Sequence, residues 1–553
     1  MRASDLLLQC LEKQGVQSVF GVPGEENADL MISLLDSDIE FVTCRHEQTA
    51  SFTAATHGLL SNHPGVCLST LGPGATNLLT GVAQANMDNA PLIAIIGQAE
   101  SDRLHKESHQ NMSAVAMYKP VTKWATTIRT VEAIPEIIAK AFKVAMDGQP
   151  GSVLIELPED IAHEQVTQAL QPLPKVKISA CTGVSTDLIE QFLELLKNSE
   201  RPIVLAGDGA TRLQCDQALG QFLDQTQVYA CDTFMGKGVI SDRYPRSLHT
   251  VGMGMKDIAI EAFEQADLVI CIGYDMVEWG PAKWNLKTPK NIVHLHSVSA
   301  EVDQDYIPTL EMIGDIPIIL NQINKNLDAQ HKKQEPYFQQ VQSQVNEHIN
   351  AYADDNNFPM KPKRILKDIR ATLADEDIVI SDVGAHKMWV ARQYMTYQSK
   401  TCLISNGFCS MGGSIPGCIA AKRLYPQRKI VSVCGDGAFV MSIQALPTAV
   451  KLGLPFVIVV WEDEHYGLIQ WKQEMAFSKH SHTELNNPDL EQLAKAWGCH
   501  AETISDSASF QPLLEKALQR DDKPSVLIVP VDYKENMKLF HDLGEFFSQS
   551  DNN

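Results

Sequence analysis

The sequence places an aspartate between two glycines at the end of an apolar run. The segment VCGDGAFV covers residues 433–440, and its Asp436 follows residues typical of a buried strand. An unpaired buried carboxylate costs several kcal/mol, so the charge of Asp436 requires compensation. The neighbouring sequence offers no spare cation, which predicts that the compensating charge comes from outside the chain.

A second acid follows at a spacing that would bring it beside the first. Asp463 lies 27 residues after Asp436 (463 − 436 = 27), beyond a helical pattern and the apolar run PFVIVVW. One strand–helix–strand passage takes about 30 residues, so both acids are expected at the same edge of a parallel sheet. Two carboxylates beside a helix start suit a hard cation that also holds a diphosphate. The spacing therefore predicts a magnesium–diphosphate site, although the Gly-Asp-Gly triplet alone is better explained as a turn from strand to helix.

Elements able to position these acids recur along the chain. Short apolar runs, many of them ending in Gly or Asp, alternate with helical patterns; the runs are SVFGVPG, EFVTCRH, GVCLSTLG, LIAIIGQ, SVLIELP, RPIVLAGDG, ADLVICIGY, NIVHLHS, DIVISDVG, TCLISNG, KIVSVCGDG, PFVIVVWED and SVLIVPVD. This alternation predicts an α/β fold of doubly wound parallel sheets, whose ligands lie at the carboxyl ends of strands. Breaks in the pattern near 164–184 and 327–345 predict three domains, over residues 1–165, 185–327 and 355–540.

Bulk composition narrows the class of protein. The 553 residues carry a formal net charge of −22, which argues against a nucleic-acid partner. The most apolar run, residues 455–461, is far shorter than the ~20 residues of a membrane-spanning helix, and the start of the sequence does not resemble a signal peptide. Twelve cysteines without a CxxC pair or a zinc-ligand spacing suit a reducing compartment. We therefore expect a cytoplasmic protein with neither a nucleic-acid nor a membrane partner.

The spacing of Asp436 and Asp463 resembles the signature of the thiamine-diphosphate-dependent enzymes. In that family an aspartate, an acid or amide after the next strand, and a backbone carbonyl two residues later hold the metal. The resemblance assigns these roles to Asp436, Asp463 and His465. Glu462-Asp463 stands where many members have two asparagines, a departure that changes the charge and keeps an oxygen ligand. The resemblance implies thiamine diphosphate and Mg²⁺ as cofactors.

Other segments match this family in its order along the chain. They are FGVPGEEN, RHEQ and LSTLGPGATN in the first third, and SDVGAHKMW and SNGFCSMGGSIPG in the last. The resemblance implies that Glu47 hydrogen-bonds the aminopyrimidine ring and that Met411 is an apolar wedge beneath the cofactor. By residue type alone, Glu47 also fits a solvated turn and Met411 ordinary core packing. The residues implied to bind the cofactor are Pro23, Gly24, Gly384, His386, Met411, Gly435, Gly437, Ala438, Tyr466, Gly467 and Ile469.

One segment relates the chain to a group within the family. KESHQNMSAVAMYKPVTKW closely resembles the acetolactate synthases, and His109-Gln110 is the form of their catabolic, FAD-independent branch. The resemblance implies decarboxylation of pyruvate and carboligation to a second 2-oxo acid, giving 2-acetolactate and CO2 without FAD. His109 and Gln110 are then candidates for holding the acceptor, although either side chain also fits a loop residue that satisfies its own hydrogen bonds.

One residue points to the biosynthetic branch instead. Trp471 stands where biosynthetic members have a tryptophan that favours 2-oxobutyrate as acceptor, so the resemblance predicts that it lines the substrate pocket. A bulky ring discriminates one methylene by ~1–3 kcal/mol. Packing at the mouth of the site is the alternative for Trp471, and the choice between a catabolic and a biosynthetic role stays open.

Two other functions fit parts of the sequence. Another 2-oxo acid decarboxylase or carboligase of the family would share the cofactor site, but the early His-His pair typical of such decarboxylases is absent. A flavin or dinucleotide oxidoreductase is suggested by VLAGDGATR, residues 204–212, which lacks the third glycine of the dinucleotide fingerprint and an acid at the right strand end.

The resemblance also bears on assembly. In this family the cofactor lies between the first domain of one chain and the third domain of another, which makes these the pyrimidine-binding and diphosphate-binding domains. The resemblance therefore implies a homo-oligomer, either a dimer or a tetramer, with shared active sites and small 2-oxo acids as substrates.

Overall fold

The described residues form three separate six-stranded sheets. The structure is a computed structural model that describes residues 1–167, 170–175, 182–252, 257–285, 290–351 and 353–536. All neighbouring strands within each sheet run parallel, and helices connect most consecutive strands, which confirms the predicted α/β class with three parallel-sheet domains. The predicted end of the third domain, residue 540, lies outside the described residues, and the exact domain boundaries stay a prediction.

The first sheet is built from the amino-terminal part of the chain. Its strands are β1 (Ser18–Gly21), β2 (Glu40–Thr43), β3 (Gly65–Ser69), β4 (Leu92–Gln98), β5 (Trp124–Thr127) and β6 (Ser152–Pro158). The helices are α1 (Ala3–Gln14), α2 (Ala28–Ser33), α3 (Glu47–Ser61), α4 (Pro73–Met87), α5 (Ala114–Tyr118), α6 (Ile134–Met146) and α7 (Glu159–His163). The strand order is β2-β1-β3-β4-β6-β5. Every residue of β3, β4 and β6 is buried, because helices cover both faces of the sheet.

The second sheet forms the central domain. Its strands are β7 (Pro202–Ala206), β8 (Tyr229–Asp232), β9 (Ser247–Thr250), β10 (Leu268–Ile272), β11 (Asn291–His296) and β12 (Leu310–Ile313). The helices are α8 (Thr186–Asn198), α9 (Asp208–Arg212), α10 (Asp216–Thr226), α11 (Ile260–Gln265), α12 (Ile316–Asn326) and α13 (Gln339–Asn350). The order β12-β11-β10-β7-β8-β9 places the switch point of the sheet between β7 and β10.

The third sheet carries the two acids. Its strands are β13 (Ile378–Ser381), β14 (Cys402–Ile404), β15 (Ile430–Gly435), β16 (Val457–Glu462), β17 (His500–Thr503) and β18 (Ser525–Pro530). The helices are α14 (Pro362–Thr372), α15 (Ala385–Gln393), α16 (Ser414–Leu424), α17 (Asp436–Ser442), α18 (Leu446–Lys451), α19 (Gly467–Phe477), α20 (Leu490–Ala496) and α21 (Ser507–Leu518). The order β14-β13-β15-β16-β18-β17 repeats that of the first sheet, strand for strand.

The first and third domains contact each other directly. Helix α3 packs on α16, and Thr53 Oγ1 donates to the Pro416 carbonyl at 3.3 Å. Asp88 Oδ1 accepts from the backbone of Gly407 at 3.0 Å and of Phe408 at 3.3 Å, so the first domain holds a loop of the third. None of the described helices combines the length and apolar character that crossing a membrane requires.

Candidate active site

A cavity of about 220 Å³ lies where strands β13, β15 and β16 end. Helices α15, α17 and α19 begin at its wall, and the first N–H groups of a helix have no partner within the helix. Helix starts of this kind favour an anionic ligand. The predicted residues found in the lining are Gly384, His386, Met411, Gly435, Asp436, Gly437, Ala438, Asp463, His465, Tyr466, Gly467 and Ile469.

Asp436 is held by three neutral N–H donors at the start of α17. Its Oδ1 accepts from the Gly437 backbone at 2.8 Å, and its Oδ2 accepts from the Glu464 backbone and the Asn487 side chain, each at 2.7 Å. Burial raises the pKa of Asp436, and these hydrogen bonds counteract the rise in part. The carboxylate is therefore fixed in orientation, while none of its three donors carries a charge that balances it.

Asp463 follows β16 and faces the charge of Asp436. Burial first, and then Asp436, raise the pKa of Asp463 to about 7. A divalent cation would stabilise two such carboxylates in their ionised forms. Within the described ranges there is no group of three or more His, Cys, Asp or Glu residues suited to a metal, so a cation here needs further oxygen ligands. The His465 carbonyl and a ligand phosphate are suitable in type.

The turn that carries Asp463 and His465 is tied to a neighbouring segment. The Glu464 carbonyl accepts from Leu485 N, and Tyr466 N donates to the Thr483 carbonyl, both at 2.8 Å. Glu464 adopts a left-handed φ of 57°. These bonds fix the chain direction between the end of β16 and the start of α19.

His386 lines the cavity and is almost fully buried. Its side chain is 2% exposed, and no group of the described chain hydrogen-bonds its Nε2. Burial lowers the pKa of His386 to about 4, so the imidazole is neutral near pH 7. Because buried polar atoms are almost always hydrogen-bonded, Nε2 fits a site whose polar ligand completes it.

Two glycines keep the cavity open beside the acids. A Cβ atom at position 467 would lie 2.6 Å from Asp463 Oδ2, and one at position 437 would lie 3.1 Å from Tyr466 Cε1. Any larger side chain would displace the acid or the ring. The unsatisfied His386 nitrogen, the two carboxylates and this cradle fit a magnesium-bound diphosphate.

Met411 and Trp471 occupy different surroundings. Met411 lines the cavity and also packs against the apolar core of the third domain. Trp471 is 4% exposed in the core that includes Trp389 and Trp461, and it is absent from the cavity lining. Ile469 lines the cavity, and two positions further along a helix the side chain is turned by about 200°, so the predicted place of Trp471 in the substrate pocket stays a prediction.

The predicted residues of the first domain form a separate group. Glu47 begins α3, is 9% exposed, and accepts from Asn77 Nδ2 at 3.0 Å. A Cβ at Gly74 would lie 3.4 Å from Glu47 Oε1, one at Gly72 would lie 2.9 Å from Gln110 Cβ, and one at Gly24 would lie 2.6 Å from Thr70 Cβ. Glu47, Gln110 and Gly24 therefore gather around residues 70–74, at the carboxyl end of β3.

Two further predicted residues are exposed sequence neighbours of this group. They are Pro23, next to Gly24, and His109, next to Gln110. No residue of the first domain lies in the lining of the third-domain cavity. The described chain thus presents two groups of predicted site residues that it does not bring together.

The sequence did not single out several residues of this site. Val383, Ala385, Cys409, Leu468 and Tyr533 also line the cavity, and Asn487 holds Asp436. Tyr533 comes three residues after the end of β18 (533 − 530 = 3), so the rule that ligands lie at strand ends could have found it. Asn487 had no such signal, because it reaches Asp436 from a loop 51 residues away in sequence.

Family models match all three parts of the chain. They are described as thiamine pyrophosphate enzyme, N-terminal TPP binding domain (residues 1–117), central domain (residues 189–323) and C-terminal TPP binding domain (residues 382–529). The acetolactate synthase of Bacillus subtilis (strain 168) is 32% identical, with 98% of this chain and 95% of that protein covered. The chain belongs to the thiamine pyrophosphate enzymes. This confirms the resemblance read from the Asp436–Asp463 spacing and makes thiamine diphosphate its cofactor.

Two more relatives place this thiamine pyrophosphate enzyme among proteins of one type. The catabolic acetolactate synthase of Raoultella terrigena is 31% identical, covering 98% of this chain and 97% of that protein. The acetolactate synthase isozyme 2 large subunit of Escherichia coli (strain K12) is 30% identical, covering 97% of each. The protein is therefore an enzyme with thiamine-diphosphate-dependent activity of the acetolactate synthase type.

Proposed function

We propose that this thiamine pyrophosphate enzyme is an acetolactate synthase. It decarboxylates pyruvate and joins the remaining two-carbon unit to the keto carbon of a second 2-oxo acid, which gives 2-acetolactate and CO2 when the acceptor is pyruvate. The observation that carries this proposal is the pair of carboxylates at the wall of one cavity, the buried Asp436 and the half-buried Asp463, beside the unsatisfied nitrogen of His386. The similarity of almost the whole chain to acetolactate synthases selects this reaction within the family.

The two acids are proposed to hold Mg²⁺, with the His465 carbonyl as a third protein ligand. Mg²⁺ prefers oxygen ligands and commonly shares them between carboxylates and phosphates. Thiamine diphosphate, when bound, supplies the carbon centre that accepts the electrons released with CO2. Glu47 is proposed to hold a proton at the aminopyrimidine, since Asn77 fixes its carboxylate and little of it meets solvent.

His109 and Gln110 are proposed to hold the acceptor. Both side chains are exposed in the single chain, so their donors are accessible to a substrate carboxylate. Gln110 also lies against Gly72, close to the residues around Glu47. Holding an acceptor there favours bond formation over capture of the two-carbon unit by a proton.

The central domain is proposed to bind no flavin. Dinucleotides bind doubly wound sheets at the switch point, and three acids line that crevice here: Asp208, Asp275 and Glu278. Glu278 Oε1 accepts from the backbone N–H groups of Asp208 at 3.0 Å and Asp275 at 3.3 Å. Burial, and then the charge of Asp208, raise the pKa of Asp275 to about 6. The same two causes raise the pKa of Glu278. Through its hydrogen bonds, Glu278 occupies backbone N–H groups that a pyrophosphate would need at these strand ends, which supports both the absence of FAD and the rejection of an oxidoreductase.

The active unit is proposed to contain at least two copies of this chain. The residues gathered around Glu47 and those around Asp436 are separate in one chain, so a second copy would have to unite them. Large apolar side chains on α17 and α19 are exposed; they are Val440, Met441, Ile469, Met475 and Phe477. Exposed apolar surface of this kind marks an interface, and its proposed cover is the first domain of the second copy.

Product analysis tests the proposed reaction. Purified protein is incubated with pyruvate, thiamine diphosphate and Mg²⁺, with and without FAD, and Asp436→Ala serves as the inactive control. We expect acetolactate, detected as acetoin after acid treatment, at the same rate with or without FAD. Acetaldehyde as sole product would contradict the carboligase reaction. Dependence of the rate on FAD would contradict the proposal that the central domain binds no flavin. Competition with 2-oxobutyrate in the same assay measures the acceptor preference.

A further inference from the structure

A buried amide–carboxylate pair lies at the carboxyl edge of the first sheet. Gln98 ends β4, and Glu156 lies in the neighbouring strand β6. Gln98 Nε2 donates to Glu156 Oε1 at 2.7 Å, and the side chains are 1% and 5% exposed. Thr127 Oγ1 donates to Glu156 Oε2 at 2.6 Å. Among the described residues, the donors to this buried carboxylate are neutral, and a buried charge held by neutral donors alone costs stability.

The Gln98 amide also reaches the chain outside the sheet. Nε2 donates a second hydrogen bond to the Met112 carbonyl at 3.1 Å, and Oε1 accepts from Ala99 N at 2.9 Å. Both N–H bonds and the carbonyl of this amide are thus in use. Glu156 fixes the position of the amide on one side, and the amide holds the Met112 carbonyl on the other.

Met112 belongs to the loop that carries His109 and Gln110. At the other end of that loop, Ser101 N and Oγ donate to Asp160 Oδ1 at 3.0 and 3.1 Å. Of these two attachments of the loop, the bond from Gln98 to Met112 is the nearer to Gln110, because Met112 is two residues from Gln110. Gln110 has a left-handed φ of 53° and lies against Gly72, so a small shift of the loop would change its place.

We propose that Gln98 is a positioning residue for the acceptor: with Glu156 as its anchor, it holds the Met112 carbonyl and thereby places His109 and Gln110. This inference rests on the proposed function, in which those two side chains hold the second 2-oxo acid. A misplacement of about 1 Å in such a group costs ~10²-fold in rate, whereas the cofactor site in the third domain would be untouched.

Exchanging the two side chains tests the hydrogen bond from Gln98 to the Met112 carbonyl, here called the tether, separately from the hydrogen bond between Gln98 and Glu156. In the double variant Gln98→Glu with Glu156→Gln, the amide on strand β6 can donate to the new carboxylate, so the bond between the two side chains is restored. The new carboxylate has no N–H for Met112, so the tether is lost. We expect native-like unfolding temperature, unchanged thiamine diphosphate affinity and unchanged single-turnover release of CO2 from pyruvate. The pyruvate concentration needed for carboligation should rise ~10–100-fold, with acetaldehyde replacing acetolactate at low pyruvate.

Two further variants keep the test decisive. Thr127→Val removes the other donor to Glu156 without touching Met112, and it should leave the ratio of acetolactate to acetaldehyde unchanged. Gln98→Asn keeps the amide group on a side chain that is one methylene shorter. It should shift that ratio in the same direction as the double variant, and it replaces the double variant in the test if that variant does not fold.

Three results would overturn the proposal. They are a wild-type product ratio in the double variant, a wild-type ratio in a folded Gln98→Asn variant, and an equal shift in Thr127→Val. Failure of the proposed function looks different, because the unmodified enzyme would then form no acetolactate.

Discussion

Two carboxylates of the candidate site are held in the same way but have different neighbours. Asp436 and Glu47 both accept hydrogen bonds from an asparagine, Asn487 and Asn77 respectively, and neither is paired with a cation through these bonds. A fixed carboxylate without a cation can serve a metal or a proton, depending on what it faces. Asp436 faces a second acid, and Glu47 lies beside a glycine-rich turn. These different neighbours are the basis for proposing a metal-binding role for Asp436 and a proton-holding role for Glu47.

Replacing Glu47 should affect turnover and leave cofactor binding intact. In Glu47→Gln the shape and the contact with Asn77 can persist, but the side chain no longer exchanges a proton. We expect turnover with pyruvate to fall ~10²–10⁴-fold, the range for one acid–base group, while titration calorimetry gives an unchanged thiamine diphosphate affinity. The exposed Glu25→Gln is the matched control. Wild-type turnover in Glu47→Gln would remove this carboxylate from the mechanism.

Asn487 offers a graded test of the metal site. Asn487→Ala removes one donor from Asp436 Oδ2 and keeps the acid itself. Loss of an outer partner of a metal ligand costs ~10–100-fold in metal affinity, so we expect that loss for Mg²⁺ here. Asp436→Ala should abolish binding of both Mg²⁺ and the diphosphate. Equal affinities in wild type and Asp436→Ala, measured by calorimetry, would contradict the assignment.

At the scale of helices and strands, the sequence predicted most of the strands that the core encloses. Runs of consecutive apolar residues correctly predicted thirteen strands, including β4 and β6, because a strand covered on both faces needs apolar residues throughout. It did not predict β5, β8, β9, β12 and β17, four of which lie at sheet edges. The edge strands β5 and β17 are only partly buried, so their composition carries a weaker signal. Strands β8 and β9 are fully buried, but their sequences, YACD and SLHT, are not runs of apolar residues.

In the candidate site, too, some residues could be predicted from the sequence and others could not. Residues next to strand ends could be predicted because spacing along the chain determines which edge of a sheet they reach. The burial of Trp471 in the core could not, since the direction of a helical side chain depends on how α19 packs. The tether from Gln98 to Met112 was also invisible, because a side chain that bonds a backbone carbonyl leaves no pattern of residue types.

The end of β11 gives a prediction for stability against pH. Burial, and then Arg212, lower the pKa of His296 to about 3, and Asp275 lies 3.8 Å from its Nε2, beyond hydrogen-bond reach. The folded protein therefore binds fewer protons at this site than the unfolded chain. The stability contributed by His296 is full above pH 6.5 and falls as the pH drops from 6.5 towards 3. At about pH 5 the loss is about 2 kcal/mol.

Replacing His296 should remove this dependence. His296→Asn keeps an acceptor for the Val298 N–H, which bonds Nδ1 at 3.2 Å, and has no titrating group. Between about pH 7.5 and pH 5, its unfolding temperature should fall less than that of the wild type. The exposed His105→Asn is the control and should follow the wild type. Parallel pH curves for wild type and His296→Asn would contradict a neutral His296.

At the scale of the whole molecule, the separation of the two residue groups predicts complementation between inactive chains. If each site combines the first domain of one chain with the third of another, a mixed dimer of Glu47→Gln and Asp436→Ala chains has one doubly altered site and one intact site. Such dimers should have about half of the wild-type activity, and a random mixture about a quarter. The measurement is pyruvate turnover after the two inactive proteins are co-expressed.

The converse result is equally clear. Sites formed within one chain would leave every chain with one defect, and the mixture would stay inactive. A mixture of Glu47→Gln with wild type, carried through the same procedure, controls for losses during assembly.

The first and third sheets share one strand order, so each position in one has a counterpart in the other. Gln98 ends the fourth strand of the first sheet, and Asp463 follows the fourth strand of the third. One architecture, used twice in a single chain, thus carries a neutral tether in one copy and an acid suited to a cation in the other. The repeated sheet determines where a side chain stands and leaves its chemistry free to diverge. A repeated framework is in this way sufficient to encode the two unlike halves of the proposed catalytic centre.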